Sequence, residues 1–364
     1  MNILHNNIVT DMPFLERFTT WNAFIKRFYI ATCRVYAVLF PFYWVGTGFT
    51  PLSDLFISIP WFIHLAPILG FGILYFLSTK KAPIFALALS FFFALPFIVH
   101  VQTPVFVTQE QEVIASSDTE HVLGESSELS FTVCSLNTYY YFNNLDRESA
   151  LSELVEHKCD VYLLQEVWQA KLLRPYIEEE LRLYFPGYNM EFEGEFITMS
   201  HFPIRNAELG RHEGFLKTDL EINNEVISFV NIHIWNPLTP RGCLSFTQKL
   251  YTEDCMLSSS FIRNQQLIEL QNAISTSDNT AIIAGDFNST EQMKIIQDMK
   301  RISQHVTSKT IGLNATFPAE LPLMQIDHFF LYNGGISEIR AQPSDIVCNT
   351  EVSDHCMIKA KFTK

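Results

Sequence analysis

Ala281-Ile282-Ile283-Ala284-Gly285-Asp286-Phe287-Asn288-Ser289 is an apolar run that ends in an acid, an amide and turn-forming residues. The run Ala281–Ala284 has the length and composition of a buried strand. It therefore delivers Asp286 and Asn288, two residues apart, to a strand end. Ser353-Asp354-His355 places a second acid and a histidine just before the closing strand Cys356–Phe362. Glu166 ends Val161-Tyr162-Leu163-Leu164-Gln165, and Asp327 interrupts Met324–Leu331. Taken singly, each has a plainer reading: an Asp after a strand is commonly a turn or N-cap residue, and Ser-Asp-His can be a simple turn. Together they offer hard oxygen ligands for a metal and a group able to move or stabilise a proton.

The segments Ser135-Leu136-Asn137-Thr138, Leu164-Gln165-Glu166, Asn231-Ile232-His233, Gly285-Asp286-Phe287-Asn288, Ile326-Asp327-His328 and Ser353-Asp354-His355 follow one another in that order. In this order and spacing, the chain from about residue 130 to 364 resembles the endonuclease/exonuclease/phosphatase (DNase I-like) superfamily. The resemblance implies an α/β four-layer sandwich: two mixed β-sheets face to face, helices on the outer faces, and a site at one end of the sheets. The residue pattern by itself gives alternating strands and helices but does not select that topology. Strands are expected at 130–136, 160–165, 195–200, 216–222, 226–234, 280–284, 325–331 and 357–362, and helices at 147–157, 170–184, 259–275 and 290–300.

The same resemblance assigns roles. It implies magnesium, or manganese in its place, with Glu166 as the principal ligand, Asn137 beside it and Asp354 assisting. Magnesium keeps several waters, so one or two protein carboxylates suffice. Asp286 and Asn288 would position or deprotonate the attacking water. His355 would contact the reacting phosphate, as general base or as cationic stabiliser, with Asp327 fixing its tautomer and raising its pKa. His233 and Asn236, in Asn231-Ile-His-Ile-Trp-Asn236, match positions that hold phosphate oxygens. His328 points to the opposite strand face from Asp327 and reads as structural. His201 stands where relatives often carry arginine, which puts a phosphate contact there in doubt.

The front of the chain is different in kind. Hydrophobic residues make up 48% of the sequence, with 32 phenylalanines, and the excess lies in the first hundred residues. The stretches 28–49, 55–77 and 82–101 are each long enough to cross a hydrocarbon core of about 30 Å; Arg34 and Pro41 weaken the first. Residues 1–101 are thus expected to form a membrane anchor of about three transmembrane helices. Lys80 and Lys81 separate the second and third spans, Lys26 and Arg27 precede the first, and the other flanks lack Lys and Arg. The positive-inside bias then puts the amino terminus in the cytoplasm and the catalytic region outside. Residues 102–129 carry six acids and neither Lys nor Arg, the composition of a tether. As a flexible coil it would reach only about 30 Å. Domain bounds of 1–101, 102–129 and 130–364 follow.

Charge and cysteines narrow the function. With 25 basic against 39 acidic residues the chain carries −14, a poor match to a duplex, which needs a Lys/Arg footprint. A membrane-tethered acidic hydrolase suits a lipid-type or small phosphodiester, and sphingomyelinase-like members of the superfamily fit the anchoring best. The bilayer and a phosphoester, with a lipid headgroup among the options, are the expected partners. An extracytoplasmic nuclease and a non-catalytic phosphate-binding surface protein are the alternatives. Tyr139-Tyr140-Tyr141-Phe142 would contact a headgroup or simply pack under a loop. Cys243 and Cys255 flank a polar insert and are expected to pair. Asn288-Ser289-Thr290 is a glycosylation sequon on a proposed site residue, which favours a bacterial inner membrane and periplasm.

Overall fold

The computed structural model describes residues 129–142, 147–167, 170–237, 253–276, 279–306, 314–334 and 339–364, with scattered helical residues between 24 and 76. The tether and almost all of the three expected spans lie outside the described residues. Among the described residues, no helix is long and apolar enough to cross a membrane.

Two sheets form the centre. One runs β11 (Arg340–Ala341), β13 (Met357–Thr363), β1 (Ser130–Asn137), β2 (Val161–Gln165), β4 (Phe196–Ser200), β3 (Asn189–Glu193), with β12 (Asp345–Val347) also on β13. The other runs β5 (Ile204–Leu209), β6 (Phe215–Ile222), β7 (Glu225–His233), β8 (Ala281–Asp286), β10 (Asp327–Tyr332), β9 (Gln304–Val306). Both are mixed: β1 and β2 are parallel, as are β7 and β8, and their other neighbours are antiparallel.

The layering follows from strand periodicity. Successive side chains point to opposite faces, and in the central strands both faces are apolar. Phe131 and Val133 of β1, Leu163 of β2, Phe229 of β7 and Ile282 of β8 meet between the sheets. Their alternates Cys134, Leu136, Tyr162 and Leu164 turn outward to Leu151 and Leu154 of helix α1 (Arg147–Glu156) and Ile177 and Leu181 of α2 (Ala170–Tyr184). On the far side Val230, Ile232, Ala281 and Ile283 meet Leu267, Leu270 and Ile274 of α3 (Glu253–Ser275) and Ile295, Ile296 and Met299 of α4 (Lys294–Ile302). Three apolar layers thus separate helices, sheet, sheet and helices. Tyr29 is buried in this last cluster.

Two buried amides tie the sheets together near the site. Gln165 Nε2 donates to Asn231 Oδ1 at 2.6 Å, and Asn231 Nδ2 donates to the carbonyls of Leu164 and Ile197, each at 3.0 Å.

Several local expectations need correction. Helix α4 begins at Lys294, not Thr290, because residues 289–293 form the turn that follows β8. Helix α3 begins at Glu253, ahead of the expected Ser259. Pro175 lies inside α2, past the first turn where a proline is tolerated, at the cost of one backbone hydrogen bond. Short strands β3, β5, β9, β11 and β12 were not anticipated; they are edge strands, or pair only with β13, and carry mixed burial rather than clean apolar runs. Disulfides join Cys134 to Cys159 and Cys348 to Cys356. Of the expected Cys243–Cys255 pair, Cys243 lies outside the described residues and Cys255 falls in the first turn of α3.

Candidate active site

The site forms where the carboxyl ends of β1, β2, β7 and β8 meet the amino ends of β10 and β13. Gly285 makes the close approach of β7 and β8 feasible. Its φ is +145°, and a Cβ there would fall 2.1 Å from the carbonyl oxygen of Ile232. The next residue, Asp286, is 1% exposed and stands directly opposite Asp327 in the β8–β10 ladder.

Asp286 is the hub. Its Oδ2 accepts from Asn137 Nδ2 and from Asn288 Nδ2, each at 3.1 Å, and its Oδ1 accepts the Asn288 backbone N–H at 2.7 Å. The ring nitrogens Nε2 of His233 and of His355 each lie 3.8 Å from Oδ2. Behind each histidine stands a further buried carboxylate. His355 Nδ1 is 3.0 Å from Asp327, and His233 Nδ1 is 3.1 Å from Glu195. The two imidazoles are thereby oriented with Nε2 toward the same acid.

Electrostatics follow from that geometry. Burial alone would lower the pKa of His355, but Asp327 and then Asp286 outweigh it and push it up to about 10. For His233, burial is likewise outweighed by Glu195, Asp286 and Glu166, giving about 9. Burial raises the Asp286 carboxyl above its ordinary value, while His355 pulls it down. Both histidines are therefore cationic at neutral pH, flanking an acid whose proton affinity is increased.

Glu166 leaves the end of β2 in a left-handed conformation (φ +59°). Its Oε1 accepts from Asn137 Nδ2 at 3.1 Å and sits 3.5 Å from His233 Nε2. Asp354 reaches the same cavity from the loop before β13. Its carboxyl is raised chiefly by burial; His355 pulls it down and Glu166 pushes it up. Two carboxylates that repel one another at a partly open position suit a hard divalent cation; the Asn137 amide beside them presents its nitrogen to Glu166, its oxygen accepting the Tyr139 N–H. Asp286, Asp327 and His355 also meet the spacing of a metal-binding group. There, however, His355 Nδ1 is already committed to Asp327, and imidazole is a poor partner for magnesium.

A cavity of about 500 Å³ opens over these groups. Glu166, His233, Asn236, Asp286, Asn288, Asp354 and His355 line it, so most of the expected site residues converge there. Asn137 and Asp327 stand just behind the wall, bonded to Glu166 and His355. Tyr139, Tyr140, Trp235, Phe317 and Met324 supply an aromatic and apolar rim, and no Lys or Arg occurs among the described lining residues. Tyr139, Tyr140 and Tyr141 all have positive φ (+47°, +56°, +56°), a strained run. Asn137 anchors its start by accepting the Tyr139 N–H at 3.0 Å.

His328 faces away from the cavity, as expected, with Nε2 2.8 Å from the Ser289 carbonyl and Nδ1 3.0 Å from His305. His201 is exposed and lies against Tyr188, ring centroids 3.7 Å apart, off the cavity lining. Sequence reasoning missed Glu195, Arg263 and Gln266. Glu195 heads a strand with nothing local to mark it. The helical pair Arg263-x-x-Gln266 carried a signal, two polar groups on the inward face of an apolar-spaced helix.

Paired sheets with acid–histidine pairs and hard oxygen donors at one edge define a hydrolase of phosphoric esters. Residues 134–355 match the Endonuclease/Exonuclease/phosphatase family, and the chain belongs to that family. The family is one of phosphoesterases and nucleases, generally dependent on a divalent metal. Among solved structures, beta toxin from Staphylococcus aureus is similar at 15% identity, covering 63% of this chain and 99% of that one, with a TM-score of 0.46. An AP endonuclease from Leishmania major is similar at 14% identity over 65% and 88%, TM-score 0.46. An endonuclease/exonuclease/phosphatase from Bacteroides vulgatus is similar at 12% identity over 64% and 98%, TM-score 0.46. No curated protein matches the chain.

Proposed function

We propose that the protein is a membrane-anchored, extracytoplasmic phosphodiesterase acting on a lipid-type or small phosphodiester, in the manner of a sphingomyelinase. The observation that carries the substrate class is the cavity lining. Around the acid–histidine centre it offers aromatic and apolar side chains, and no Lys or Arg among its described residues. A polyanion would need cationic side chains along its path. A diester with one phosphate and uncharged or cationic substituents needs none beyond the two histidines.

In this reading Glu166 and Asp354 would hold magnesium or manganese, with Asn137 alongside fixing the Glu166 carboxylate, and the ion when bound would neutralise charge on the phosphoryl and departing oxygens. Asp286, aligned by Asn137 and Asn288, orients a water and takes its proton as the water oxygen bonds to phosphorus. Protonated His355, held by Asp327, donates to a non-bridging phosphoryl oxygen. His233 and Asn236 grip the phosphate from the β7 side. The bond from phosphorus to the leaving oxygen breaks, and that oxygen leaves protonated by solvent.

The location rests on the Lys/Arg asymmetry and gains support from two disulfides, which persist in oxidising compartments. Asn288 is engaged with Asp286 and the Ile234 carbonyl at the cavity wall. A glycan there would fill the site, so a periplasm suits the protein better than a glycosylating lumen. The burial of Tyr29 in the domain's helix-side cluster favours two crossings, at 55–77 and 82–101. Tyr29 and the domain then share one side of the membrane. Lys80-Lys81 still fixes the last crossing outward.

The test is a magnesium-dependent panel of sphingomyelin and glycerophospholipid vesicles, bis(p-nitrophenyl) phosphate, inositol phosphates and DNA. Preferential turnover of a lipid or small diester is expected. Preferential cleavage of DNA would replace the reading with the nuclease. No turnover of any substrate with magnesium or manganese would leave a phosphate-binding surface protein.

A further inference from the structure

We propose that Arg263 and Gln266, one turn apart on α3, are positioning residues that clamp the two phosphate-side turns into register. Arg263 is 5% exposed, yet its guanidinium reaches two separate turns. It donates to the Trp235 carbonyl in the turn after β7, and to Ser289 Oγ at 2.7 Å in the turn after β8. The Asn288 carbonyl lies 3.4 Å from both terminal nitrogens. Gln266 is fully buried; its Oε1 accepts the Trp235 N–H at 3.1 Å and its Nε2 donates to the His212 carbonyl at 2.9 Å.

Both backbone polar groups of Trp235 are thus held by one helix face, and that residue sits between His233 and Asn236. The same face holds the turn carrying Asn288, whose side chain and N–H align Asp286. Asn288 Nδ2 also donates to the Ile234 carbonyl at 2.9 Å, linking the turns directly. Arg263 is suited to the task because a planar fork with several donors can serve acceptors on two segments, whereas lysine is a point charge. The neighbouring sequence accommodates the clamp. Gly214 stands where a Cβ would fall 2.8 Å from Gln266 Cγ, and the Gly214 carbonyl accepts the His233 N–H at 3.0 Å. Because apolar contacts alone let helix and turn slide, directional hydrogen bonds from a rigid helix are what set the turns to within a few tenths of an ångström, and misplacement by about 1 Å can cost about 10² in rate.

The inference rests on the proposed reaction for its kinetic readout only. Full-length protein carrying Arg263→Ala, Arg263→Lys or Gln266→Ala is assayed on bis(p-nitrophenyl) phosphate with magnesium, and amide hydrogen exchange is measured in parallel. Gln266→Ala, which frees only the Trp235 side, should raise KM more than it lowers kcat. Arg263→Ala, which also frees the Asn288–Ser289 turn, should lower kcat at least tenfold. Arg263→Lys, which is expected to fold in any case, should fall between it and wild type. Exchange should rise at 233–237 and 286–290 while β1 and β2 stay protected. Wild-type kinetics in Arg263→Ala, or unchanged exchange at both turns, would overturn the proposal. So would a loss of protection spread evenly over both sheets with no split between KM and kcat. If wild type turns over no phosphoester, the proposed reaction fails, and exchange at the two turns decides the positioning claim alone.

Discussion

Asp286 and Asp327 are direct partners across the antiparallel β8–β10 ladder, so two buried carboxylates project from the same face of one sheet edge. His355, arriving from the other sheet, lies between them with Nδ1 3.0 Å from Asp327 and Nε2 3.8 Å from Asp286. Like charges directly opposite one another are unfavourable in a sheet. A protonated imidazole between them offsets that repulsion, which is why its pKa is raised to about 10, against the opposing effect of burial.

The first prediction concerns this pairing. A raised pKa keeps His355 cationic up to about 10, so activity that needs the cation is lost only as pH rises through that value. Asp327→Asn removes the leading upward influence, and the alkaline limb of kcat/KM should move to lower pH. His355→Ala should lower turnover by about 10² or more with the fold intact. A folded His355→Ala protein with wild-type turnover would remove His355 from the chemistry.

Glu166→Gln keeps the shape of the side chain but removes its charge. A neutral amide is a poorer ligand for a hard divalent cation, so the magnesium concentration giving half-maximal activity should rise at least tenfold. Direct titration of binding, by calorimetry with magnesium or manganese, should weaken in parallel. Unchanged metal affinity would shift the site to the Asp286–Asp327–His355 group.

His328 is buried, and burial lowers its pKa from the ordinary 6.5 to about 4. Between those values the unfolded chain binds a proton that the folded chain refuses. Its contribution is therefore fully present above 6.5 and is lost as pH falls toward 4. The slope from this group reaches at most about 1.4 kcal/mol per pH unit. His328→Phe should lower stability at pH 7, by loss of the bond to the Ser289 carbonyl, yet flatten the decline between pH 6.5 and 4. Urea midpoints measured across that range test the sign.

Backbone crowding makes Gly285 irreplaceable. Gly285→Ala would drive a methyl group into the Ile232 carbonyl, and the loss of stability should exceed the about 1 kcal/mol that separates glycine from alanine elsewhere. Asn231→Leu should cost about 1–3 kcal/mol, because it takes the Asn231 donor from the buried Leu164 and Ile197 carbonyls and one of three acceptors from the Gln165 amide. Thermal unfolding of both variants gives the check.

Topology and covalent pairing are testable together. A cysteine introduced at Ser127 should react with a membrane-impermeant reagent in intact cells, while one at Lys80 should be protected. The reverse pattern would reject the orientation. Peptide mapping without reductant should recover Cys134 with Cys159 and Cys348 with Cys356. Cys243 joined to Cys255 is the third expected pair. Reduction should lower activity, because Cys356 directly follows His355 and its bridge closes the loop carrying Asp354.

What the sequence determined by itself is local. Ala281–Ala284 and Val161–Leu164 are apolar throughout because both faces of those strands are covered, so strand and strand end were both legible. Asp286, Asn288 and Glu166 could therefore be assigned to strand ends and His355 to the approach of a strand, and His328 to the opposite face from Asp327 by simple alternation; that these ends share one edge was implied by the family resemblance alone. The short strands β9, β11 and β12 were not legible, since pairing with a neighbour, rather than any pattern of their own, makes them strands. Only the tertiary structure brought Glu195 behind His233 and Arg263 across to Ser289. It also chose Cys159 for Cys134. Those contacts join residues whose local sequence carries no record of the partner. A hydrophobic period specifies which face is buried, but which polar group meets another in that buried layer is decided by how sheets and helices pack.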